Sequence, residues 1–267
     1  MMKTDVSITV QIAEARARIA DVLLEIDDIR LQVNPQIEAE YATTIGYLEN
    51  ELLKWQIAAR RARRRYALAQ ARANAGEAVH ADEFEEQLDR ELDEWNRLLE
   101  KNVASFLKAA ERLAGTRPLS PSESRELKQL HRELIKRLHP DLHPGQPAEE
   151  LRFFTVVQAA YEHGDLSTLR AIAVVTEGMG TEPDVSDLTE DETAAELELV
   201  LAHERVVEKQ LAELKRSNPY ALKELLENGE WVVRRTAELN RQIEEQKSAA
   251  RAYDERFESM AGGVSAA

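Results

Sequence analysis

The sequence predicts an all-α fold in which long antiparallel coiled-coil helices flank a compact central helical hairpin. Three observations carry this. Apolar residues recur at seven-residue spacing through both outer parts of the chain. No stretch alternates apolar and polar residues as a half-buried strand would. Helix start and stop signals crowd into residues 117–177 and cut that part into short pieces.

Residues 5–33 carry two interleaved ladders, Ile8, Ala15, Val22, Ile29 and Ile12, Ile19, Ile26, Val33. Asn34-Pro35 is expected to break this helix, with Asn as cap and Pro at the first helical position of the next. Over 35–75 the rows are Tyr41, Leu48, Trp55, Ala62, Ala69 and Ile45, Leu52, Ala59, Tyr66, Ala73. At about 1.5 Å per residue that helix runs on the order of 60 Å. Asn74-Ala75-Gly76 ends it, and a helix over 81–114 follows, carrying Leu88, Leu92, Trp95, Leu99, Phe106 and Leu113.

Ser120-Pro121-Ser122-Glu123 is a capping box with Pro at the first position, opening a helix to Leu138. A further helix spans 147–163; Gly164 closes it, and Asp165 caps a short helix to Thr176. Thr189 and Glu192 form another capping box, opening a helix to Ser217. Asn218-Pro219 restarts the chain. The last helix, 230–260, has Val232, Leu239, Tyr253, Met260 on one row and Ile243, Phe257 on the other. The expected organisation is a coiled-coil region over 1–116, a central module over 117–177, a linker over 178–188, a coiled-coil region over 189–260 and a disordered tail over 261–267. Short connections favour antiparallel neighbours. Whether the two arms pair with each other, and whether the seams close within one chain or in a homodimer, is left open.

Composition narrows the function. Aromatics make up 5% of the 267 residues and charged residues 32%, a balance suited to long solvated helices. The net charge of −15 disfavours an overall nucleic-acid or anionic-membrane role. With no cysteine there is no disulfide, thiolate metal site or cysteine nucleophile. Neither a signal-peptide stretch nor 18 consecutive apolar residues occurs, so the expectation is a cytoplasmic protein with no membrane span. No nucleophile–base pair, metal set or phosphate loop appears, so the reading is not an enzyme and needs no cofactor.

The chemistry-bearing motif is His139-Pro140-Asp141. Pro140 fixes its own φ, removes a donor and disfavours helical geometry at His139, so the helix must stop there. His139 and Asp141 are thereby displayed on a tight loop between antiparallel helices. On the preceding helix Arg125, Lys128, Arg132 and Lys136 are spaced three, four and four apart and share a face. Leu127, Leu134 and Leu138 point elsewhere, toward Phe154, Val157 and Tyr161 of the next helix.

A basic helix, His-Pro-Asp, a Gly-containing loop and FFTVVQAAYE, with Phe154, Val157, Ala160 and Tyr161 in register, follow in one order over residues 122–176. This segment resembles a J domain, the module of DnaJ-type co-chaperones. The resemblance covers about a fifth of the chain. It implies that His139, Pro140 and Asp141, with Lys128, Arg132 and Arg137 at matching cationic positions, dock on a DnaK-type chaperone and stimulate its ATP hydrolysis. It also implies weak, salt-sensitive binding. The sequence departs from the family in four ways. The usual Tyr-x-x-Leu-Gly first helix is absent before 120, its packing being left to the end of helix 81–114 or to nothing. His131 stands where the family has Tyr, and Glu133 where it has a basic residue. Gly/Phe-rich and zinc-finger segments are missing as well.

Two functions follow. The first is a J-domain co-chaperone whose coiled-coil arms hold a client or partner. The second is a coiled-coil scaffold whose J-like module no longer activates a chaperone. Other motifs have plainer readings. His131, His139 and His143 read as surface or loop histidines rather than metal ligands. The run Arg60-Arg61-Ala62-Arg63-Arg64-Arg65 could touch nucleic acid. A hairpin with the acidic 82–94 segment would instead pair it internally, and that is the expectation.

Overall fold

The structure, a computed structural model, describes residues 7–80, 82, 84–115, 119–180 and 188–262. Most of the 178–188 linker, the end of the tail and the Leu113 side chain lie outside the described residues. Among the described residues every regular element is helical. No described helix is long and apolar enough to cross a membrane. The elements are α1 (Ile8–Asp28), α2 (Asn34–Tyr41), α3 (Tyr47–Asn74), α4 (Glu85–Gly115), α5 (Pro121–Leu138), α6 (Ala148–Glu162), α7 (Leu166–Val175), α8 (Glu190–Arg216), α9 (Lys223–Glu227) and α10 (Gly229–Gly262).

The expected break at Asn34-Pro35 does not occur. A π-helical turn, Ile29–Val33, precedes Asn34, and the Asn34 amide donates to the Ile29 carbonyl five residues back. A proline inside an α-helix removes a hydrogen bond and clashes with the carbonyl four residues earlier. Widening the turn before Pro35 accommodates both, so the helix continues into α2. A second π turn, Ala42–Gly46, separates α2 from α3.

The chain packs as two units, each assembled from two separate segments, rather than as a string of linear domains. One unit is residues 1–37 with 115–222; the other is 38–114 with 223–267. The reason is that each arm's partner is remote in sequence.

In the first unit α1 pairs with α8. Arg16 bonds Glu196 at 2.8 Å, Arg18 bonds Glu204, and Glu25 pairs with Lys215. Both numbers rise together, so the helices run parallel. The antiparallel expectation fails for this pair because no short connection constrains helices 180 residues apart. Ile12, Ala15, Ile19 and Leu23 bury against Val200 and Val207. Each fully buried Ile or Leu of this kind contributes about 1.5–3 kcal/mol. Ile8, predicted on the seam, is exposed instead, and Leu23, off both ladders, is buried. A straight helix drifts about 20° per heptad against a strict seven-residue repeat.

The rest of this unit is α5, α6 and α7. Leu127, Leu134, Leu138, Phe154, Val157, Ala160 and Tyr161 bury in one cluster with Ile135, Leu166, Leu169 and Ile172. His131 against Tyr161 and His139 against Phe154 show that α5 and α6 run antiparallel. Leu24 and Leu31, from α1 and the π turn, pack onto the same cluster. The packing the sequence left to helix 81–114 is thus supplied by the far N-terminal segment.

In the second unit α3 and α10 are also parallel, tied by Glu49–Arg235 at 2.7 Å and Arg65–Asp254 at 2.6 Å. Ile45 and Leu48 bury against Leu239 and Ile243. Helix α4 is antiparallel to α3: Arg65 lies 3.6 Å from Glu85 at the start of α4, while Arg60 reaches Trp95 further along it. Arg61 bonds Glu85 at 2.5 Å and Asp89 at 2.6 Å, and Arg64 grips Glu91 with two bonds of 2.8 and 3.0 Å. Arg65 lies over Phe257, and Arg60 over Trp95. The arginine run therefore spends Arg61, Arg64 and Arg65 on carboxylates of its own unit.

Candidate functional site

Helix α5 begins where its sequence says it should. The Ser120 hydroxyl accepts from the Glu123 amide at 3.2 Å, and Glu123 accepts from the Ser120 amide at 2.8 Å. It ends at Leu138, and His139 adopts extended backbone at φ −69°, ψ 126°. Ending a helix strands its last carbonyls. Here the following loop supplies donors: His143 Nε2 meets the Lys136 carbonyl at 2.8 Å, and Gln146 donates to the Leu138 carbonyl at 2.9 Å. The loop thus clamps itself onto the end of α5.

Within that loop the Asp141 amide donates to His139 Nδ1 at 3.0 Å. His139 must then be neutral with its proton on Nε2. Its ring stands edge-on to Phe154 at 4.9 Å and is buried. Burial pushes its pKa down to about 4. His139 is therefore the fixed inner post of the turn, and Asp141 is its outward face. The Asp141 carboxylate stays 45% exposed, 3.9 Å from His203 Nε2 on α8. Pro140 is half-buried between them.

Arg125, Lys128, Arg132 and Lys136 are all exposed, forming one ridge that leads to the loop. Arg125 donates to the Pro121 carbonyl at 3.1 Å. Two of the ridge cations meet acids of α1: Arg132 bonds Asp21 at 3.0 Å, and Lys128 lies 3.8 Å from Asp28. Arg137 is placed differently. Half-buried, it donates to the Ala173 carbonyl at 2.9 Å and the Thr176 hydroxyl at 3.0 Å. One residue past Lys136 means about 100° around the helix, which turns Arg137 away from the ridge and onto the end of α7. It braces the module and does not belong to the cationic face.

His131 also departs from the expected surface histidine. It is 2% exposed and stacked on Tyr161 with ring centroids 3.7 Å apart. Its Nε2 lies 3.8 Å from the buried Asp27 carboxylate and has no hydrogen-bond partner. Burial pushes the imidazole down to about 4 and raises the Asp27 carboxyl. The Tyr161 hydroxyl donates to Asp28 at 2.7 Å; burial, then that bond, raises its pKa. Gln32 donates to the Tyr161 carbonyl. These contacts dock α1 onto α5 and α6.

Sequence reasoning missed Asp21, Asp27, Asp28 and Gln32, because nothing local marks a residue that meets a partner more than a hundred positions away. Gln146 had a signal. A helix cut short by Pro140 needs donors for its carbonyls, and polar side chains just beyond are the natural supply. No family model matches the chain, nor does any curated protein or solved structure.

Proposed function

We propose that this protein is a J-type co-chaperone: its His-Pro-Asp loop and the α5 ridge dock on a DnaK-type chaperone and stimulate that partner's ATP hydrolysis. The observation that carries the reading is the turn itself. An imidazole buried and bonded to the loop backbone holds a solvent-facing Asp141 carboxylate at the end of a ridge made by Arg125, Lys128, Arg132 and Lys136. Such an arrangement suits an acidic, transient partner reached by electrostatic steering. The departures from the family have local answers. Packing by Leu24 and Leu31 stands in for the absent first helix, and His131 stacks on Tyr161 where a phenol ring would otherwise sit. The parallel arms, α1 with α8 and α3 with α10, would carry the client or partner contacts, and the chain's place of work would be the cytoplasm. Chemistry takes place on the partner; this chain supplies only binding energy.

A second reading, a scaffold with a module that no longer activates, is favoured by one observation. Arg132 and Lys128 already face acids of α1. Single-turnover ATP hydrolysis by a DnaK-type chaperone separates the two. Wild type raises the rate under the first reading, and His139→Gln, which loses the ring acceptor for the Asp141 amide, does not. An unchanged rate with wild type supports the scaffold.

A further inference from the structure

Two acids on α1 contact the ridge. Asp21 reaches Arg132 and Asp28 reaches Lys128, which are the two middle cations of the four. At the loop end, Leu142 packs onto the α1–α8 core, and His203 of α8 faces the Asp141 carboxylate. An open groove of about 680 Å³ lies between, lined by Arg16, Lys136, Asp141, His143, Glu196 and His203. An acidic partner gripping the ridge needs the same guanidinium and ammonium groups that α1 already faces.

We infer that α1 is an intramolecular competitor for the docking face, so that the chain presents its chaperone-binding ridge in an attenuated state. The inference rests on the proposed function and names how that same site is regulated. It is an attenuator and not a lock. The Arg132 and Asp21 side chains are 59% and 57% exposed, and Lys128 is 66% exposed. Ion pairs this exposed are weak, each worth about twofold to fivefold in an equilibrium constant, less as salt rises. What fixes α1 in place is separate from the Arg132–Asp21 pair: the Tyr161–Asp28 bond, the Gln32 bond to the Tyr161 carbonyl and the packing of Leu24 and Leu31. Neutralising Asp21 therefore frees Arg132 while leaving α1 docked.

The test uses the full chain and the half-saturating concentration for stimulated ATP hydrolysis by a DnaK-type chaperone. Asp21→Asn should lower that concentration about twofold to fivefold at low salt, with the gap closing as salt rises. Glu198→Gln, on an exposed position of α8, makes the same change in net charge and should leave the value at wild type. Unaltered circular dichroism and melting would show that α1 stays folded in Asp21→Asn. If Asp21→Asn matches wild type, or if Glu198→Gln lowers the concentration equally, the inference is overturned while the proposed function stands. If none of the three stimulates at any concentration, the docking face itself is refuted and the inference falls with it.

Discussion

Acid should unfold the unit that carries the His-Pro-Asp loop before its carboxylates alone would. His131 and His139 are 2% and 8% exposed, and burial holds both imidazoles at about 4. In the unfolded chain each returns to about 6.5. Between those values the unfolded chain binds protons that the folded chain refuses. Stability is therefore full above pH 6.5 and declines as pH falls toward 4. At about 1.4 kcal/mol per pH unit, each histidine removes about 2 kcal/mol between pH 7 and pH 5, as an order of magnitude. Asp27 works in the opposite sense. Burial raises its carboxyl, so on acidification the folded chain takes a proton there before the unfolded chain does, which opposes the loss from the histidines. Protonating His139 at Nδ1 also breaks the bond to the Asp141 amide that shapes the loop. The assay is urea unfolding at pH 7, 6 and 5, followed by circular dichroism and by tryptophan fluorescence. Trp55, Trp95 and Trp231 all lie in the 38–114 with 223–267 unit, so fluorescence reports that unit alone. The acid shift should appear in circular dichroism and not in fluorescence, and His131→Phe, which keeps a ring on Tyr161, should remove about half of it. A midpoint that stays flat from pH 7 to 5, or an equal shift in both signals, would refute the reasoning.

Four more perturbations test the packing. Leu134 is fully buried among α5–α7, so Leu134→Ala should cost about 2–5 kcal/mol in urea unfolding followed by circular dichroism. At Gly180, φ is +69° and a Cβ would stand 2.0 Å from the Arg137 carbonyl oxygen. Gly180→Ala should lift that segment off the end of α5 and speed protease cleavage nearby. Gly178→Ala, with φ +88° and open space around it, should show only the left-handed backbone cost of about 1–2 kcal/mol. Arg61→Gln with Arg64→Gln should lower the fluorescence-detected midpoint only modestly, because ion pairs at or near the surface stabilise weakly.

Local signals were legible and remote ones were not. Ser120, Asp165 and Thr189 each cap the helix that their sequence marks, because a cap is decided within four residues. The apolar partners Leu134, Leu138, Phe154 and Val157 could be read from helical spacing. The parallel sense of α1 with α8 could not, since the direction of a pairing is set by the fold when no short loop sets it. Pro35 misled because a break and a π turn answer the same clash, and only tertiary packing chooses between them. Arg137 misled in a subtler way, as charge alone says nothing about which side of α5 it takes. The Asp27–His131 pair needed α1 in place before either side chain could be seen as buried.

Asp141→Asn offers the most direct test, because it leaves the backbone amide that donates to His139 Nδ1 and removes only the carboxylate charge. Single-turnover ATP hydrolysis by a DnaK-type chaperone should accelerate with wild type and stay at its basal rate with Asp141→Asn at matched folding. Equal acceleration by both proteins, or by neither, would contradict the account.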